Sequence, residues 1–155
     1  LKFIQKSGEV IMPEKETIER ARKDKREGKS PSTQAGEFVR EEIDHLREGK
    51  HGARSTKQAI AIGLSKARRA GVDLPPPETG SEDTKEQAKR DLRKAGSTKK
   101  TSAKRSRATR TALKRESRSA ATKRALSKQA RTAAKRRSAA DRSRSAKKAA
   151  ATRKK

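Results

Sequence analysis

Residues Ser55 to Pro77, STKQAIAIGLSKARRAGVDLPPP, decide how the rest of the chain is read. Ser55 is placed to cap a helix through its hydroxyl, and Gln58, three residues on, completes a capping box. Ile60, Gly63, Leu64 and Ala67 recur on one face at helical spacing. Gly71 supplies a left-handed helix end, with Val72 beyond it placed to pack back on Ala67. Pro75, Pro76 and Pro77 forbid continuation. The stretch predicts a helix from about Thr56 to Ala70.

Working outward, Ser30 to Glu48 predicts a second helix. Ser30 caps it, Pro31 takes its first position, and Ala35, Phe38, Val39, Ile43 and Leu46 form an apolar stripe. This helix is net acidic, through Glu37, Glu41, Glu42, Asp44 and Glu48. The helix after Ser55 carries Lys57, Lys66, Arg68 and Arg69 and no acid. The short GKHGAR connection between them suits two antiparallel neighbours. Residues 30–77 therefore predict a helical hairpin, with Gly63 permitting close backbone approach. Its core is small enough to need a partner: a second copy, the 13–27 segment, or DNA.

The flanks are more polar. Residues 12–29 read as a weak helix from Pro13, with only Ile18 and Ala21 apolar, solvated or frayed. Residues 1–11 read as an upstream extension before Met12 or as a disordered arm. Residues 78–96 read as a linker and a polar helix with a thin stripe of Ala88, Leu92 and Ala95.

The 155-residue chain has a net charge of +26, two aromatics and no Cys. Such polarity cannot order every segment around one core. Absence of Cys removes disulfides, thiolate nucleophiles and Cys-ligated metals. No apolar run approaches a membrane span. Residues 97–155 hold 23 basic and 2 acidic side chains, with no Gly or Pro. This low-complexity tail of Lys, Arg, Ala, Ser and Thr predicts disorder alone and partial helix once phosphates neutralise it.

A basic balance of this size points to nucleic acid, because Lys and Arg neutralise phosphates and release counterions. The expected contacts in the tail are Lys99, Lys100, Lys104, Arg105, Arg107, Arg110, Lys114, Arg115, Lys123, Arg124, Lys128, Arg131, Lys135, Arg136, Arg137, Lys147 and Lys148. Scarce aromatics argue against base stacking and leave duplex backbone as the target, with structured RNA open. Lys57, Gln58, Lys66, Arg68 and Arg69 have the chemistry for a major groove. The preferred reading packs that helix on the Phe38 helix instead, keeping Arg54, Lys57, Arg68 and Arg69 as phosphate contacts. His45 and His51 lie across a predicted turn, and without Cys or a third His no metal site is expected. Glu41, Glu42 and Asp44 read as a solvated face. No catalytic constellation, cofactor or small-molecule substrate is indicated.

Ser55, Lys57, Gln58, Ala59, Ile60, Ala61, Ile62, Gly63, Leu64, Ser65, Ala67, Arg68 and Gly71 form the pattern S-x-K-Q-A-I-A-I-G-L-S-x-A-R-x-x-G. In this, residues 12–77 resemble small basic bacterial proteins of uncharacterised function. That resemblance implies no established mechanism. Residues 97–155 are similar in composition to the Lys/Ala-rich tails of linker histones and histone-like bacterial proteins, though without the Pro those often contain.

The sequence thus predicts a mostly α protein: a small helical hairpin module with a long disordered or conditionally helical basic tail. The expected function is non-sequence-specific DNA binding and compaction by a cytoplasmic, nucleoid- or plasmid-associated protein that self-associates through 30–77. The alternatives are a protein-interaction or regulatory module in plasmid maintenance, or RNA or ribosome binding.

Overall fold

The computed structural model describes residues 13–97 and 102–153. Among them are seven α-helices and one 3-10 turn: α1 (Lys15–Arg26), α2 (Pro31–Glu48), α3 (Thr56–Arg69), α4 (Glu82–Arg93), α5 (Ala103–Lys114), the turn Ser119–Ala121, α6 (Lys123–Arg136) and α7 (Ala139–Arg153). No strand occurs among the described residues, so the chain is mostly α. No helix among them is long and apolar enough to cross a membrane.

α2 and α3 form the expected hairpin. Ser55 Oγ accepts from the Gln58 N–H at 3.2 Å, and Gln58 Oε1 accepts from the Arg54 N–H at 2.7 Å, one residue ahead of the expected box partner. At the other end Gly71 takes φ +93° and the Val72 N–H donates to the Ala67 carbonyl at 3.0 Å. Both features set the length of α3 locally. The two helices run antiparallel. Near the turn, Ile43 and Leu46 share a buried cluster with Ala59; at the far end, Ala35 and Phe38 share one with Ala67 and Val72. Between these clusters a Cβ on Gly63 would lie 2.7 Å from Val39 Cα, so only glycine permits this approach.

α1 is not the solvated helix expected. Thr17 and Ala21 are buried, and Ile18 packs on the Phe38 cluster. Its few apolar groups suffice because they all face α2, and Arg20 Nε reaches Glu37 Oε2 at 2.6 Å. α4 likewise packs on α3 through Ala88 and a buried acid, Asp91, which accepts from Ser65 Oγ at 2.6 Å and Arg69 Nε at 2.9 Å.

The larger correction concerns the tail. Its described part is helical, and its middle is part of the core. Ala120 and Ala121 are buried with Ile43, Leu46, Ala53 and Ala59, and Leu126 packs against them. The Gly52 N–H donates to the Leu113 carbonyl at 2.9 Å and the Ala53 N–H to the Ser117 carbonyl at 3.0 Å. Thr56 Oγ1 donates to the Ala120 carbonyl at 2.7 Å. The small alanines fit the gap beside the α2–α3 turn, while hydroxyl caps start the flanking helices: Ser102 for α5 and Thr122 for α6. Capping together with alanine's helix propensity gives these segments local order without an apolar face of their own.

Candidate functional site

The sequence-predicted phosphate contacts do not share one fate. Lys99 and Lys100 lie outside the described residues. Arg54 and Lys57, around the start of α3, are exposed. Arg68 is not: it is buried, and its guanidinium donates to the Leu74 carbonyl at 3.1 Å and the Pro75 carbonyl at 3.2 Å. It holds the chain leaving α3 rather than a ligand, and burial pulls its pKa below the ordinary arginine value. Arg69 is partly committed, through its ion pair with Asp91. Lys66, also suited by chemistry to phosphate, is buried between two acids.

In the tail, Lys104, Arg105, Arg107, Lys114, Arg115, Lys123, Arg124, Lys128, Arg131, Lys135, Arg136, Arg137, Lys147 and Lys148 are exposed, and Arg110 is half-buried. Arg137 is engaged with α7, donating to Ser145 Oγ at 2.5 Å and the Asp141 carbonyl at 3.2 Å. α6 organises its cations best. Arg124, Lys128, Arg131 and Lys135 fall at i, i+4, i+7 and i+11, a single stripe of about 16 Å at 1.5 Å per residue. Ala125, Leu126, Gln129 and Thr132 take the partly buried side. Because α6 packs on α3 and the turn at Ser119–Ala121, the stripe is carried on a folded body. The spacing is present in the sequence, but which side of α6 packs on the body is what singles these four out.

The second arrangement was missed altogether. Glu41 and Glu42 are buried, not solvated, and so are His45, His51 and Lys66. Lys66 Nζ stands 3.1 Å from Glu41 Oε1 and 2.9 Å from Glu42 Oε2. His51 Nε2 stands 3.2 Å from Glu42 Oε1, and the His45 and His51 rings meet edge to face with centroids 6.0 Å apart. The turn that seemed to separate the two histidines folds His51 back against α2. At the rim, His45 Nε2 and Lys50 Nζ contact Glu14 Oε1 at 3.0 and 3.1 Å. The hydrogen bond from His45, then that from Lys50, hold the Glu14 carboxyl below the ordinary range.

Residues 22–78 match a family model described as a family of unknown function, DUF6496. The matched span ends before α4 and includes the buried Glu41, Glu42, His45, His51 and Lys66. No curated protein and no solved structure matches the chain.

Proposed function

We propose that the protein binds duplex nucleic acid, in the first place DNA, through its phosphates and without sequence preference, and compacts it in a histone-like, nucleoid- or plasmid-associated role. The observation that carries this reading is the exposed stripe of Arg124, Lys128, Arg131 and Lys135 on a helix fastened to the body. Arg54 and Lys57 are exposed as well, and so are most cations of α5 and α7. The chemistry requires density of positive charge on one side, and each neutralised phosphate contributes counterion release.

The test is binding to duplex DNA over a range of salt. Contact with eight phosphates gives a log–log slope of about −7, and replacing the four stripe residues by alanine reduces its magnitude by roughly 3–4. A slope that is flat, or unchanged in the variant, sinks the reading. Competition between duplex DNA and structured RNA then separates the two nucleic acids.

The protein-interaction reading keeps one observation in its favour: the family match covers 22–78 and none of α5 to α7. Deleting residues 97–155 would not separate the two cleanly, because it would strip Ala120 and Ala121 from the core. The four-alanine variant leaves those residues in place and is the better instrument.

A further inference from the structure

Four atoms beside the α2–α3 turn are buried without a hydrogen-bond partner: both Glu42 carboxylate oxygens, His45 Nδ1 and His51 Nε2. Glu42 Oε2 has the Lys66 ammonium at 2.9 Å as an ion-pair partner, which leaves the other three. Their residues are 0%, 4% and 3% exposed. Unsatisfied polar atoms at this depth are costly, and three converging on one point call for a shared partner.

The hydrogen bonds around them fix what that partner is. The Gly52 carbonyl can only accept, so at 3.0 Å it takes the proton of His51 Nδ1. An ionised Glu14 can only accept, so at 3.0 Å it takes the proton of His45 Nε2. With each ring carrying only that one proton, His51 Nε2 and His45 Nδ1 are left with lone pairs and no partner. Glu42 Oε1 adds a carboxylate lone pair, while Glu42 Oε2 is held by Lys66 Nζ at 2.9 Å. Acceptors thus converge on acceptors. Glu41 and Glu42 also exceed the single buried ammonium of Lys66 in charge. A cation answers both problems.

We propose that Glu42 Oε1, His45 Nδ1 and His51 Nε2 bind one divalent transition-metal cation of the zinc class. The three residues offer ligand atoms that all lie within 4.8 Å of one another. The 3.2 Å between His51 Nε2 and Glu42 Oε1 is close to the roughly 3.4 Å that separates two tetrahedral ligands at about 2.1 Å from zinc. Two imidazoles and a carboxylate suit zinc and its neighbours rather than calcium or magnesium. The outer partners have the form that orients metal ligands: a carboxylate on His45, a backbone carbonyl on His51 and an ammonium on Glu42. With ligands from α2 and from the turn after it, the ion would fasten the hairpin where the tail docks. A proton on His51 is the competing answer to the acceptor clash.

The experiment uses the full-length, tag-free chain, freed of nucleic acid at high salt and of metal by chelation. Cobalt(II) is titrated first as a spectroscopic probe, then displaced by zinc. The expected result is one equivalent bound with the visible bands of a low-coordinate nitrogen/oxygen site, loss of those bands on adding zinc, and a rise in Tm with zinc. His51→Asn retains a donor for the Gly52 carbonyl and removes the Nε2 ligand. His45→Gln retains a donor for Glu14 and removes the Nδ1 ligand. Each should weaken cobalt binding at least tenfold while keeping the wild-type helical circular dichroism. If one variant fails to fold, the other carries the comparison. Absence of stoichiometric binding by the folded wild type, or equal binding by a folded variant, overturns the site and leaves the protonated His51–Glu42 pair.

Discussion

α3 and α6 are alike in length, capping and content of Ala, Lys and Arg, and opposites in use. Each has 14 residues, each begins on a hydroxyl cap at 3.2 Å, and each is rich in Ala, Lys and Arg. α3 turns Lys66 and Arg68 inward and buries them with Ala59, Gly63 and Ala67. α6 has no buried residue and shows all of its Lys and Arg to solvent. The difference lies in what faces them. α3 meets an acidic helix whose Glu41 and Glu42 can receive an ammonium, whereas α6 meets alanines and backbone. In a strongly basic chain, counting Lys and Arg therefore overstates the charge available to a polyanion.

The sharpest way to break the comparison is to remove one cation from each helix. Lys66→Ala leaves Glu41 and Glu42 without their buried ammonium, and loss of one member of a buried ion pair costs about 3–5 kcal/mol. Arg131→Ala, on exposed α6, should change stability by less than about 0.5 kcal/mol. Urea denaturation of the two variants checks both. Equal, small effects would mean that Lys66 is solvated and that α3 offers its charge as α6 does.

The α2–α3 hairpin also shows where the sequence was informative. The caps and ends of α2 and α3 depend on residues within a few positions of each other, so Ser30, Gly49, Ser55 and Gly71 could be read directly. The opposite charges of the two helices were equally legible, but not their burial. Glu41 and Glu42 are adjacent in sequence, and only the close packing at Gly63 brings both onto Lys66. His51 joins His45 because the turn folds back, which spacing alone does not reveal. Asp91 lay hidden in a polar helix for the same reason: its partners, Ser65 and Arg69, are on α3. The Ala120-Ala121 pair gave the weakest signal of all. Two alanines in an alanine-rich tail look like any others until a gap of matching size is known.

Docking of that pair yields the second prediction, which asks whether α6 belongs to the same folded unit as α3. A side chain on Gly52 would collide with the Glu116 carbonyl. Gly52→Ala should therefore separate the turn from the 113–117 segment, at an overpacking cost of about 1–3 kcal/mol. Hydrogen exchange at the Gly52 and Ala53 amides, both bonded to tail carbonyls in the wild type, should accelerate. Unchanged protection would show that the tail is not seated there, restoring the picture of a free basic arm.

The smallest effect tests the two caps against each other. Ser55 and Thr122 make the same bond with the same length, so truncating either to alanine removes similar chemistry, worth about 1 kcal/mol. The consequences should differ because the helices are anchored differently. α3 lies between α2 and α4 and cannot fray without disturbing both buried clusters. Ser55→Ala should thus lower the midpoint of global unfolding. α6 packs on the core through Leu126 near its start, and its last residues, exposed from Ala133 to Arg136, have little to lose by opening. Thr122→Ala should appear mainly as faster amide exchange in α6, with a smaller shift of the global midpoint. If both variants lower the midpoint equally, α6 is as deeply coupled to the fold as α3, and its cations rest on a scaffold as rigid as the hairpin itself.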